Sequence, residues 1–145
     1  MASPCVISTD LPKRNKCMST KNNDCPFCNI PQDKVLAENE YAYAILDGFP
    51  VTKLHSLIIP KCHVDDYFGL TTDELIDCNS LLAETREAIL KSDKLVRGFN
   101  IGVNAGEVAG QTISHCHIHL IPRRVGDVES PGGGIRRMIP GQGDY

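Results

Sequence analysis

The chain has 145 residues, 41% of them apolar, and a net charge of −3, which fits one globular domain with its own core. That balance gives no electrostatic reason to expect capture by nucleic acid, and no apolar stretch approaches the length of a membrane span. Seven cysteines are many for this size, but their odd number and scatter argue against a disulfide framework and for a reducing, cytoplasmic compartment.

Residues 1–24 carry Lys13, Arg14, Lys16 and Lys21 among small polar residues and lack the apolar run of a secretory signal. They are expected to be a disordered extension, leaving 25–145 as a single domain. Cys25-Pro26-Phe27-Cys28 opens that domain. Two thiolates at this spacing can grip one tetrahedral zinc with two further ligands from elsewhere. A redox dithiol would sit in a βαβ unit, and none is evident here. Cys5, Cys17, Cys62, Cys78 and Cys116 show no pairing pattern.

Val35 to Glu38 and Tyr41 to Leu46, separated by Asn39-Glu40, read as a small hairpin. Asp47 follows, a strand-end position next to Gly48. His55 to Ile59 is a β-branched run closed by Pro60. Thr71 and Glu74 have capping-box spacing, which predicts a helix running to about Lys91. Its buried face is expected to carry Leu75, Cys78, Leu82 and Ile89. Gly98 to Asn104 and His115 to Ile121 complete the strands. Gly102, Gly106 and Gly110 punctuate the passage between them, suggesting a loop that approaches a ligand. The order predicts an α+β fold with an antiparallel sheet. In the Gly-, Pro- and Arg-rich tail, Ile135 to Ile139 could add an edge strand.

His115-Cys116-His117-Ile118-His119 carries the most information. In an extended chain alternate side chains share a face, so the three histidines project together. Cys116, Ile118 and Leu120 form the apolar reverse face, and Pro122 is expected to end the run. Three imidazoles this close need a metal, an anion or a reaction using neutral imidazole near pH 7. Such an imidazole is a capable nucleophile, and the preceding Gln111 and Thr112 offer an amide and a hydroxyl to phosphate oxygens.

Together with Leu46-Asp47, His55 through Pro60, Lys61-Cys62-His63, Asn104 and Gly110-Gln111-Thr112, this triplet resembles the histidine triad family over residues 25 to 124. The resemblance implies a five-stranded antiparallel sheet packed with helices, a nucleotide substrate and, for many members, a homodimer. It makes His117 the nucleophile toward an α-phosphate, with His119 and His55 beside the phosphate or leaving group. Asp47 matches a ribose position, while Asn104, Gln111 and Thr112 match phosphate-side positions. It also implies a structural zinc held by Cys25, Cys28, His63 and His115. Leu120 to Arg124 and Gly126-Asp127 are similar to the diadenosine polyphosphate hydrolase branch, and the Trp-Pro-Pro-Gly ending of the phosphoramidase branch is absent. Three functions are therefore carried forward: a dinucleoside polyphosphate hydrolase, a nucleoside phosphoramidase, and a nucleotide-binding interaction protein with weak catalysis.

Overall fold

The computed structural model describes residues 21–143, so most of the expected amino-terminal extension lies outside the described residues. Among the described residues there are five strands: β1 Val35–Glu38, β2 Ala42–Leu46, β3 Ser56–Pro60, β4 Val96–Gly102 and β5 Ile118–Arg124. They form one antiparallel sheet in the order β1-β2-β3-β5-β4. Among the described residues one α-helix, α1 Thr72–Ser92, crosses one face. The α+β expectation is met.

Local chemistry sets the helix start. Thr71 accepts from the Glu74 amide, and the Glu74 carboxylate accepts in return from the Thr71 amide at 2.8 Å. The deeply buried stripe is Glu74, Cys78, Leu81, Thr85 and Ile89. Leu75 and Leu82 are only half-buried on its flank. The expected face was therefore rotated by about one residue. Thr85 can join the stripe because its hydroxyl donates to the Leu81 carbonyl at 2.7 Å.

Period-two alternation divides the sheet into two faces. Ala42, Ala44, Ile58 and Ile118 pack with Cys78 and Leu81 on the helix side. Ile45, Leu57 and Ile59 pack on the opposite side with Cys25, Phe27 and Cys28. The candidate site residues Asp47, His55, His117 and His119 belong to this second face, at odd-numbered positions of β5 or just beyond the ends of β2, β3 and β5.

Three sequence expectations need correction. Regular pairing of β5 begins at Ile118, so His115 and His117 precede the ladder, and the Cys116 amide donates instead to the Val64 carbonyl. Pro122 does not end the strand but pairs with Phe99 inside it. The ladder to β3 has already stopped at Leu120, and a residue lacking N–H is tolerated where only one flank is paired. Residues Gly134–Met138 form a 3-10 turn rather than an edge strand. Local bonds such as Arg136 N–H to the Gly133 carbonyl outcompete a ladder there. Among the thiols, Cys25, Cys28, Cys78 and Cys116 are free, whereas Cys62 is disulfide-bonded. The sequence spacing carried no sign of that bond. No helix among the described residues is long and apolar enough to cross a membrane.

Candidate functional site

Register brings Asp47, His55 and His119 together. Asp47 lies two residues past Ile45, and its amide donates to the His55 carbonyl at 2.9 Å. His119 pairs with Leu57, two residues beyond His55. All three therefore share the face away from α1. His55 Nε2 lies 2.9 Å from His119 Nδ1 and 3.4 Å from an Asp47 carboxylate oxygen, which is 3.8 Å from His119 Nδ1. The turn before His55 is held by its amide bonding the Thr52 carbonyl, with Leu54 at a φ of 68°. A left-handed leucine costs conformational energy, and such strain is found where a side chain must be aimed.

Hydrogen bonds assign the protons. The Val51 amide donates to His55 Nδ1 at 3.2 Å, so in neutral His55 the proton sits on Nε2. That Nε2–H donates to His119 Nδ1, leaving the His119 proton on Nε2. His117 donates from Nδ1 to the His115 carbonyl at 2.8 Å, which leaves an Nε2 lone pair. Burial is the main cause holding His55 and His119 below the usual histidine range, with Asp47 opposing it at both. His117 and Phe27 meet edge-on at 5.0 Å, and His117 and His119 at 5.2 Å.

Two cavities border this cluster. The larger, of about 630 Å³, runs past Asp47, Thr112, His117 and His119 between apolar walls that include Phe27, Ile45 and Leu57. The second, of about 380 Å³, begins at His55, His119 and Asn104 and continues toward the carboxyl-terminal 3-10 turn. His119 lines both. The sizes are those of small-molecule sites, with polar groups converging at one end.

The remaining predicted residues fall around these cavities in different roles. Gln111 is held by backbone groups, accepting from the Gly106 amide at 2.8 Å and donating to the Ile113 carbonyl at 3.0 Å and, across to a second loop, the Asp65 carbonyl at 2.5 Å. Gly106 and Gly110 have φ of 92° and 88°, conformations that L side chains rarely adopt, so the loop needs glycine there. Asn104 braces the same loop through the Gly110 carbonyl at 3.5 Å. Arg123 is committed to Asp127 and Asn100, and Arg124 to Asp93 and Thr52. Neither lines the two cavities.

A separate cluster joins the amino-terminal segment to the histidine run. Donor atoms of Cys25, Cys28, His63 and His115 all lie within 4.8 Å of one another. His115 Nδ1 is 3.4 Å from Cys25 Sγ and 3.5 Å from Cys28 Sγ, while His63 Nδ1 is 3.3 Å from Cys28 Sγ. Bonds of ~2.3 Å to sulfur and ~2.0 Å to nitrogen give a tetrahedral edge of about 3.5 Å. His115 Nε2 donates to the Pro60 carbonyl at 2.9 Å, so its Nδ1 lone pair faces the thiols. The donor set and spacing fit zinc. Burial raises the Cys28 thiol above its ordinary range, and a cation would reverse this by favouring thiolate.

Sequence reasoning missed the backbone groups that set tautomers, Val51 N–H and the His115 and Pro60 carbonyls. It also missed the apolar walls Phe27, Ile45 and Leu57, whose only signal was membership in ordinary core patterns. Tyr43 supports one wall, its hydroxyl donating to the Phe27 carbonyl.

A HIT domain model matches residues 29–126. An uncharacterized 16.1 kDa HIT-like protein from Mycoplasma pneumoniae is 41% identical over 109 residues, covering 72% of this chain and 75% of that protein. The adenosine 5'-monophosphoramidase HNT1 of Saccharomyces cerevisiae is 34% identical over 110 residues, covering 73% and 66% respectively. A crystal structure of a zinc-bound histidine triad family protein from Mycobacterium smegmatis superposes with a TM-score of 0.66 at 33% identity, covering 74% of this chain and 80% of that one.

Proposed function

The chain belongs to the HIT domain family, and from that premise we propose that it is a hydrolase of dinucleoside polyphosphates acting through a nucleotidyl-His117 intermediate. One observation carries this reading. The His117 Nε2 lone pair is fixed by the Nδ1–H bond to the His115 carbonyl, beside a cavity that also holds Asp47 and His119. A nucleoside would enter that cavity with its base between the apolar walls and its ribose at Asp47. The α-phosphate would then lie between His117 and His119, with Thr112 at its oxygens.

In the first step the His117 Nε2 lone pair forms a bond to the α-phosphorus. The bond to the bridging oxygen breaks, and its electron pair leaves with the departing nucleotide. The His119 Nε2–H, oriented by His55, stabilises charge on that oxygen. Water then attacks phosphorus, the Nε2–phosphorus bond breaks, and a nucleoside monophosphate is released with loss of a proton. Cys25, Cys28, His63 and His115 would hold zinc, which with four protein ligands acts as a structural tie. The metal supplies no reaction step. By fixing His115, the same four residues hold the carbonyl that orients His117. The zinc-bound mycobacterial relative supports this assignment, and the resemblance also implies a homodimer, which sedimentation of the purified chain would read.

Hydrolysis of diadenosine tetraphosphate in oxygen-18 water tests the reading. Products should be AMP and ATP, with the label on AMP. Two molecules of ADP, or label on ATP, would exclude attack at the α-phosphorus. The yeast phosphoramidase relative motivates the rival substrate. A specificity constant for adenosine phosphoramidate well above that for diadenosine tetraphosphate would transfer the assignment to it, with His117 chemistry intact.

A further inference from the structure

Nucleoside and nucleophile use only the larger cavity, and the second one remains to be explained. It adjoins the first at His119, on the side of the site away from His117. An in-line displacement sends the leaving group away from the nucleophile, past His119 and His55. Both histidines line the second cavity.

Its chemistry changes along its length. The near end has His55, His119 and Asn104, whereas the far end is walled by aliphatic side chains, the thioether of Met138 and the uncharged amide of Asn100. No lysine, arginine or carboxylate among the described residues lines it. Phosphates therefore meet imidazole N–H donors only at the near end, and a group lying beyond finds no charged side chain to pair with. The floor is the catalytic face of the sheet, continued from His119 to Ile121, with Gly102 and Asn100 paired beside them on β4. Gly102 lacks a side chain that would fill the floor opposite His119. Ile135 closes over this gap, its Cδ1 only 3.5 Å from where a Cβ on Gly102 would stand. Ile135 and Met138 come from the 3-10 turn Gly134–Met138, which packs on β4.

We infer that this second cavity binds the distal nucleoside of a dinucleoside substrate, and that the carboxyl-terminal turn is the wall that selects for it. The inference rests on the hydrolase reading above. A nucleoside suits the space because it has a flat apolar body, no charge, and polar edges that Asn100 and Asn104 can meet. Adenosine 5'-tetraphosphate is the matched control, since it carries the same four phosphates without the second nucleoside.

The test is calorimetric binding of diadenosine tetraphosphate and adenosine 5'-tetraphosphate to full-length His117→Ala protein, where turnover cannot interfere. The dinucleotide should bind at least about tenfold tighter, the effect of burying on the order of 50–60 Å² of apolar surface. Ile135→Asn, and separately Met138→Ala, should shrink the ratio to within about threefold by weakening the dinucleotide. Equal affinities in the His117→Ala parent, or variants that weaken both ligands alike, would overturn the assignment. If wild type fails to cleave diadenosine tetraphosphate, the hydrolase reading fails, and the binding ratio still decides what the cavity accepts.

Discussion

Mild acid should weaken this fold through His55 and His119. Both rings are held below the ordinary histidine range, chiefly by burial, so they stay neutral while their unfolded counterparts titrate near ~6.5. The sign follows from proton uptake. As pH falls below ~6.5 the unfolded chain binds protons that the native chain refuses, and stability declines toward the folded-state values. An unfolded histidine is half protonated at pH ~6.5, so each costs at most about 1 kcal/mol between pH 6.5 and 5.5, and the pair sets a ceiling of roughly 2 kcal/mol. In a domain of this size that is on the order of 10 °C in melting temperature. Protonation also disrupts the chain itself, because a doubly protonated His119 can no longer accept from His55. His115 is likewise held below the ordinary histidine range, chiefly by burial, so the contribution of the pair must be read as a difference. Urea denaturation at pH 7.5, 6.5 and 5.5 should show a shallower acid slope for His55→Gln/His119→Gln than for wild type. Carboxylates held low by hydrogen-bonded cations, Glu38 by Lys61, Asp93 by Arg124 and Asp127 by Arg123, act in a separate window below about pH 4. Equal slopes for variant and wild type between pH 7.5 and 5.5 would refute the reasoning.

The purified protein should hold about one zinc per chain. Cys25→Ser, nearly isosteric in its core cluster, should abolish that stoichiometry and lower the melting temperature by more than it lowers the rate per folded molecule. Zinc-free reduced protein of unchanged stability would remove the metal from the account. Asp47→Ala should raise KM for a ribonucleotide about tenfold, the loss of a hydrogen-bonded carboxylate at the ribose. The same change should scarcely affect a substrate lacking both ribose hydroxyls, and an equal loss on both would place Asp47 elsewhere in the site.

What could be read from residues alone followed from local rules. The Thr71/Glu74 capping box, the hairpin around Asn39-Glu40 and the alternation through Cys116, Ile118 and Leu120 each depend on near neighbours, and each appears as expected. The four residues proposed for zinc converge in space although His63 and His115 are 52 positions apart, a juxtaposition that came from resemblance and not from spacing. Where long-range register decides, sequence was silent. Pro122 reads as a stop because nothing local says that the β3 ladder has already ended at Leu120. Ile135 to Ile139 reads as a strand because apolar content does not reveal that Gly133 and Gly134 turn the backbone. The tautomers of His55, His117 and His119 depend on backbone groups whose positions exist only once the sheet is formed.

Rapid quenching of a single turnover with substrate labelled at the α-phosphate addresses the central claim most directly. Wild-type protein should carry acid-labile label on His117 before monophosphate appears. His117→Ala should carry none and turn over at least about a thousandfold more slowly, while still binding nucleotide. Product formed at the normal rate by His117→Ala, or by wild type without any labelled intermediate, would contradict the account.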